Sequence, residues 1–357
     1  MRTDTYKIRL FSPDMLPQVL DVLSFLWDKD SKTREEYFKW KYIDNPNSDI
    51  PLGIVGIHNN RVIGFRGYFA TRFEVPGRTK NLIVLVAGDT CVHPDFRRKG
   101  LSVLMGDMAM DAFGGTHKIF LNMTATAPSL PGYLKLGYQP IAKKAYLSQY
   151  TFPGFLRYLG AYKNRSHEGW NRFPFGTFDS VIVSDRPKSE EMAALSFSVV
   201  PHGQRIRLFK DERFFRWRFE NPFKKYAFYY FRQNTKIKGY VVVGLSPNYR
   251  RGYILDYADA DGESVASLLR HMIRNRHFDI LSIYHFSIGD ELNQIFQDLG
   301  FKAKGLVRIL EKRKTGELPV LIRPVQKSYT GTEWDIEGLD IRNIKHWQIT
   351  EICSDSA

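Results

Sequence analysis

Residues Val86–Met110 read VAGDTCVHPDFRRKGLSVLMGDMAM. An apolar run comes first and ends at His93-Pro94, where proline removes a ladder donor and stops a strand. A basic loop follows, Arg97-Arg98-Lys99-Gly100-Leu101-Ser102. Leu101, Leu104, Met105, Met108 and Ala112 then recur at helical spacing, so a helix starts at once. The first amides of a helix lack intrahelical partners and carry the positive end of its dipole, which suits this junction to phosphate. Gly100 and the small Ser102 allow close backbone approach, and Arg97, Arg98 and Lys99 add charge. The expected ligand is a pyrophosphate held largely by main chain.

The segments around this stretch alternate in type. TYKIRLF reads as a strand, and Leu16, Leu20, Leu23 and Trp27 mark a helix. FKWKYIDNP (Phe38–Pro46) lies on a second helix, stopped by Pro46. LGIVGIHNN and RVIGFRGYFA predict a hairpin turning at Asn59-Asn60, and NLIVLVAGDTCV a central strand. Beyond the loop and its helix come a strand at Lys118–Met123, a short helix at Leu130–Leu136 and a strand from Gln139.

With those residues in place, the chain resembles the GCN5-related N-acetyltransferases, whose acetyl-CoA loop runs Arg/Gln-x-x-Gly-x-Gly/Ala. Arg97 to Ser102 fits that pattern, with serine at the last small position. Val92-His93-Pro94-Asp95-Phe96 is similar to the family's run into the loop, and Tyr133-Leu-Lys-Leu-Gly-Tyr138 to its Tyr-x-x-x-Gly-Phe segment. The resemblance implies an α/β (α+β) fold with a mixed, mainly antiparallel twisted sheet flanked by helices. It also implies acetyl-CoA as acyl donor, no metal, and direct transfer to a primary amine. Main-chain groups of Cys91, Val92 and His93 would pair with the pantetheine arm, and an amide there would polarise the thioester. Arg97, Arg98, Lys99, Gly100, Leu101 and Ser102 would hold the pyrophosphate. Tyr133 would protonate the departing thiolate. Asp89 is the best-placed carboxylate for a base, with His93 second and water relays a third route. Asn122 and Ser129 are polar candidates for contacts to the cofactor arm. A covalent intermediate on Cys91 is disfavoured, because a free cysteine in a strand ordinarily packs.

The organisation is duplicated. FKWKYIDNP is echoed by FRWRFENP (Phe215–Pro222), with Ile43 the one extra residue, and YLKLGY by FQDLGF (Phe296–Phe301). Strands at Ala227–Arg232, Ile237–Leu245, Tyr253–Ala260 and Asp279–Tyr284, with helices at Val265–Ile273 and Glu291–Leu299 and a strand from Phe301, repeat the first plan. The second copy lacks the basic loop. LDYADADGESV (Leu255–Val265) is acidic there, and Phe296 stands where Tyr133 does, so that copy reads as degenerate. The expected domains are a cofactor-binding domain at 1–150, a linker at 151–187, a degenerate copy at 188–317 and a tail at 318–357, whose TEWDIEGLDIRNIKHWQI could pack back. An aromatic cluster shared by both copies is expected to serve folding. Trp40 would anchor the core, the flanking lysines would stay wet, and Asn45-Pro46 would end the helix.

Composition narrows the partners. The chain has 357 residues, 43% hydrophobic and 14% aromatic, enough for two cores. Its net charge of +14 favours anionic partners. Basic residues are spread along the chain and no nucleic-acid module is recognisable, so nucleic acid is an unlikely ligand. Two cysteines allow no disulfide framework. The N-terminus lacks the apolar core of a signal peptide and no apolar run spans a bilayer, so a cytoplasmic protein is expected, with peripheral membrane contact left open. By analogy the acceptor is an amino sugar of glycan or secondary-metabolite synthesis. Two rival readings are a CoA-binding sensor or scaffold without turnover, and an aminoacyl transferase of cell-wall precursor type, against which the intact loop counts.

Overall fold

The computed structural model of the chain describes residues 6–115, 118–143, 145–151, 173–198, 205–247, 250–284, 287–303 and 318–354. Most of the expected linker, 152–172, and most of the strand expected from Phe301 lie outside them.

The first sheet contains β1 (Lys7–Leu10), β2 (Gly53–His58), β3 (Arg61–Glu74), β4 (Leu82–Val92), β5 (Ile119–Asn122) and β6 (Gln139–Lys143). β2 and β3 form the expected hairpin, and Asn59 (φ 48°) and Asn60 (φ 60°) both take the left-handed conformation of a tight two-residue turn. The second sheet contains β7 (Tyr146–Tyr150), β8 (Gly176–Phe178), β9 (Val181–Ser184), β11 (Tyr226–Gln233), β12 (Lys236–Leu245), β13 (Arg251–Asp259) and β14 (Ile280–Tyr284), whereas β10 (Ile206–Leu208) pairs with the end of β3.

A last long strand, β15 (Pro319–Pro324), returns to the first sheet. The strand orders are β1-β2-β3-β4-β5-β15-β6 and β7-β14-β13-β12-β11-β9-β8. The halves therefore trade a strand. β7 leaves the first half and lies antiparallel to β14, and β15 inserts between β5 and β6. The boundaries expected at 150, 187 and 317 do not coincide with these sheets: residues 146–150 and 176–184 pair in the second, and 319–324 in the first. Val320, Leu321 and Ile322 of β15 are fully buried. At roughly 1.5–3 kcal/mol for each buried aliphatic side chain, this strand is a core component.

The helices form three layers. On the outer face of the first sheet, α3 (Leu101–Phe113) and α4 (Leu130–Lys135) pack through Leu101, Met105, Phe113 and Tyr133 onto Ile54, Ile63, Leu85 and Phe120. Between the sheets, α1 (Leu16–Leu23) and α2 (Ser31–Phe38) share one core with α5 (Ser189–Ser198) and α6 (Glu212–Arg218). Beyond the second sheet lie α7 (Ser264–Arg274) and α8 (Asp290–Asp298). Tail residues Trp334, Ile341, Trp347 and Ile352 are buried in the central core. Among the described residues, no helix is long and apolar enough to cross a membrane.

The repeated aromatic segments meet in that central layer. Trp40, 4% exposed, anchors the core as expected. Its indole N–H donates to the Trp217 carbonyl and the Trp217 indole to the Trp40 carbonyl, both at 2.8 Å. The rings stack at 5.5 Å between centroids and 19° between planes. One expectation is corrected: the two lysines flanking Trp40 do not both stay wet. Lys39 is half exposed and pairs with Glu35, as Arg216 pairs with Glu212. Lys41 is fully buried, and its counterpart Arg218 is 1% exposed. The extra residue of the first copy is absorbed as a π-helical turn over Lys39–Ile43, closed by the Asp44 amide on the Lys39 carbonyl. The helix ends there, just before Asn45, whose side chain is buried against the Ala70 carbonyl.

Candidate active site

The site begins where β4 outruns β5. The two strands pair in parallel only over Val84–Val86, against Ile119–Leu121. β4 continues to Val92, held by β3 alone on its other side. Opposite Gly67, the β3–β4 register slips between Arg66/Thr90 and Tyr68/Ala87, a bulge that places Gly88 and Asp89 across from one residue. On the β5 side, Ala87–Val92 therefore have no strand partner, at a split between parallel strands where α/β sheets take their ligands.

The loop at the far end has the expected shape. Arg98 (φ 63°) and Gly100 (φ 80°) adopt left-handed conformations, and Gly100 leads directly into α3. A β-carbon on Gly100 would meet open space, so it is the backbone angle that calls for glycine. The amides of Leu101 and Ser102 lie in the first turn of α3, whose donors have no intrahelical partners. Leu101 anchors that turn: it is 1% exposed and packs over Gly56, where a β-carbon would collide with it, and over Gly64, where one would press tightly on it. Arg97, Arg98 and Lys99 are exposed. Arg97 donates through Nε to the Val92 carbonyl at 3.0 Å and so ties the loop to the strand end, while Lys99 lies over the Phe96 ring at 5.3 Å. The backbone amides and Arg98 are the donors this loop leaves facing solvent.

Tyr133 on α4 reaches the same side of the sheet. It is 4% exposed, edge-to-face with Tyr138 at 5.1 Å, and the Arg66 guanidinium lies 4.7 Å from its ring centre. No described residue bonds its hydroxyl, which leaves the phenol proton uncommitted. Asn122 and Ser129 are turned to local backbone instead. Asn122 accepts the Thr124 amide at 2.8 Å, and Ser129 Oγ accepts the Thr126 amide at 2.9 Å.

Asp89 occupies the opposite face and is fully engaged. Its carboxylate accepts Lys41 Nζ at 2.6 Å, the Tyr42 hydroxyl at 2.7 Å and Trp27 Nε1 at 3.0 Å. Burial pushes its pKa up, but the Lys41 charge and these donors outweigh that and hold it below the ordinary value. A carboxylate so held is a poor proton acceptor. It ties the π turn and the end of α1 to the bulge of β4. Gly67 makes room for the Tyr42 hydroxyl, since a side chain there would overlap it. The second half builds a similar group: Asp256 on β13 accepts Lys210 Nζ at 3.0 Å and the Tyr240 hydroxyl at 2.8 Å.

His93 and Cys91 also face this side. His93 sits edge-on to Phe25 at 5.1 Å, and its Nδ1 accepts the Asp95 amide at 3.4 Å. Cys91 is 5% exposed and its thiol donates to the Val22 carbonyl at 3.1 Å. Burial pushes that thiol up to about 11, which removes it as a nucleophile near neutral pH. Among the described residues, no three His, Cys, Asp or Glu side chains gather as metal ligands would.

The corresponding junction in the second half is already filled. Asp259 accepts the amides of Gly262 and Val265, and Asp261 those of Glu263 and Ser264, all at 2.9–3.1 Å. The chain's own carboxylates occupy the amides of Ser264 and Val265 that open α7, so an incoming phosphate would meet negative charge and donors already bonded.

Sequence patterns alone gave no site role to Lys41, Tyr42, Trp27, Arg66, Thr90 or Tyr138. Arg66 did leave a signal, as the one charge inside the apolar run RVIGFRGYFA.

No family model matches the chain, and no curated protein matches it. Solved structures do. A GCN5-related N-acetyltransferase from Anabaena variabilis superimposes with a TM-score of 0.56 at 13% identity, covering 90% of this chain and 73% of that one. A probable N-acyltransferase from Enterococcus faecalis gives 0.59 at 10% identity, with the same coverages of 90% and 73%. A GCN5-related N-acetyltransferase from Kribbella flavida gives 0.56 at 15% identity, covering 90% and 71%. With a sheet split after β4, a glycine-led helix at the split and these neighbours, the chain has the fold of the GCN5-related N-acetyltransferases, laid down twice.

Proposed function

We propose that the first half transfers an acyl group from a CoA thioester directly to a primary amine, and that the second half is a non-catalytic copy. The observation that carries this reading is the open edge of β4 ending at the Gly100 cradle. Backbone amides and Arg98 hold the pyrophosphate, and the end of β4 around Cys91, Val92 and His93 receives the pantetheine arm, although the His93 amide bonds the Ile63 carbonyl and the Val92 carbonyl accepts Arg97. The amine nitrogen attacks the thioester carbonyl, a C–N bond forms and the C–S bond breaks. Tyr133 gives its proton to the departing thiolate, and the proton lost from the amine restores the balance. Asp89 acts as a positioning residue. His93, beside Phe25 on the α1 face, takes the role of proton acceptor, directly or through water. Amines are the acceptor class, and amino sugars and polyamines the first to try.

The test is incubation with acetyl-CoA and an amine panel, following free thiol, alongside CoA binding by Gly100→Glu. Thiol release above background, lost together with CoA binding in the variant, supports the reading. Tight CoA binding with no turnover on any amine points to a sensor instead. Unchanged CoA affinity in Gly100→Glu removes the loop from the site.

A further inference from the structure

We propose that the acyl donor taken by this site carries a carboxylate at the far end of its acyl chain, as malonyl- or succinyl-CoA does, and that Arg66 receives it. This rests on the CoA reading above and adds the identity of the acyl group.

Arg66 lies on β3 directly across from Thr90 on β4, so its side chain emerges on the α3–α4 face beside the split. It is 3% exposed. Nε donates to the Tyr68 hydroxyl at 2.7 Å and Nη1 to the Ser102 carbonyl at 3.4 Å. Nη2 is buried and has no partner. Among the described residues, no carboxylate pairs with this guanidinium. Of the other buried cations, Lys41 has Asp89, whereas Arg323 is wrapped by the carbonyls of Leu136, Pro324 and Gln326 and Arg218 reaches those of Ile352 and Ser354. A guanidinium cannot neutralise itself by losing its proton, so a buried one without an anion is costly.

Two further polar atoms nearby are buried without a partner. Thr90 Oγ1 stands opposite Arg66 in the strand register, and the Tyr138 hydroxyl belongs to the ring packed edge-on against Tyr133. Three unsatisfied groups that can each donate, one of them charged, thus lie about Arg66 and the Tyr133 ring. A carboxylate accepts several such bonds at once and supplies the missing charge.

The pyrophosphate is the wrong end of the donor for this role. Amides at a helix start point outward, toward the cradle, whereas carbonyls point along the helix. Arg66 touches the Ser102 carbonyl and the Tyr133 ring, so it lies on the inner side of the first turn, next to the phenol. The part of the donor nearest that phenol is the acyl group. An acetyl group ends in a methyl and would leave the guanidinium unmatched.

The experiment is calorimetric titration of the full chain with CoA, acetyl-CoA, malonyl-CoA and succinyl-CoA, for wild type, Arg66→Met, Arg66→Lys and Tyr138→Phe. The wild type is expected to bind malonyl- or succinyl-CoA at least tenfold more tightly than acetyl-CoA. Arg66→Met should erase that preference while leaving the affinity for unacylated CoA unchanged, and Arg66→Lys should keep part of it. Tyr138→Phe, which opens no cavity, should weaken the carboxylated donors alone and keeps the test valid if Arg66→Met does not fold. Equal affinity of the wild type for acetyl- and succinyl-CoA overturns the inference and leaves the CoA reading standing. So does an Arg66→Met variant that weakens CoA and every acyl-CoA alike, because Arg66 then serves the common part of the donor. A wild type that binds no CoA overturns both.

Discussion

Trp40 and Trp217 hold each other across the centre of the molecule, each indole N–H donating to the other residue's carbonyl at 2.8 Å with the two rings stacked. The contact is self-complementary, as in an isologous interface between identical subunits, although both partners belong to one chain. Trp40→Phe and Trp217→Phe each remove one buried donor and leave a buried carbonyl unpaired. Each is expected to cost about 1–3 kcal/mol. A double-mutant cycle by urea denaturation should show coupling, because the second substitution acts on a contact the first has already loosened. Strict additivity would mean that the two bonds are energetically independent.

Lys41 and Asp89 form the buried ion pair beneath β4, and removing one partner strands the other. Lys41→Met is expected to cost about 3–5 kcal/mol, and Lys41→Met with Asp89→Leu less than the single change. The folded pKa of Asp89 is depressed, so its stabilisation is present above the ordinary carboxyl value near 3.9 and is lost as pH falls through the lower folded value. Urea midpoints measured from pH 7 downward should therefore fall more gently in acid for Asp89→Asn than for wild type. Identical acid limbs would mean that Asp89 has the same affinity for a proton folded and unfolded.

The strand trade makes the halves interdependent. A chain ending at residue 317 lacks β15 and leaves β5 and β6 without the strand that joins them. It is expected to lose near-UV circular dichroism and CoA binding together. A peptide spanning 318–357 should restore both by adding the missing strand. A truncated chain that binds CoA normally would show that β15 is dispensable.

Tyr133 packs with its hydroxyl uncommitted, so Tyr133→Phe should keep the fold and the CoA affinity. If the phenol protonates the thiolate, turnover should fall by about a hundredfold. Unchanged turnover would reduce Tyr133 to a packing residue. In the same assay, an intact-mass spectrum after incubation with acetyl-CoA should show no acyl adduct, because the buried Cys91 thiol is held near 11.

Much of the first half was legible from local pattern. The glycine-led helix start, the Asn59-Asn60 hairpin and the core role of Trp40 all follow from residue types at short range, and all three stand in the structure. The degenerate loop was legible as acidic, yet repulsion is only part of the reason it cannot hold phosphate: Asp259 and Asp261 cap their own helix start. Lys41 escaped because a basic residue beside a tryptophan looks like its neighbour Lys39. Only the π turn and the distant Asp89 distinguish them. PVLIRP at 319–324 reads as a short apolar scrap between prolines and gives no sign that it belongs in the first sheet.

By itself the sequence determined that one fold occurs twice, that one copy keeps a basic, glycine-led helix start, and which apolar residues face a core. These follow from periodicity, chain stiffness and composition, which act over a few residues. The tertiary structure alone decided which sheet each closing strand joins, which lysine is buried, that Asp89 is held rather than available, and that no carboxylate among the described residues pairs with Arg66. A period of two tells a strand its faces but not its neighbours, and a charge takes its meaning from whatever is packed within a few ångströms of it, often from the other end of the chain.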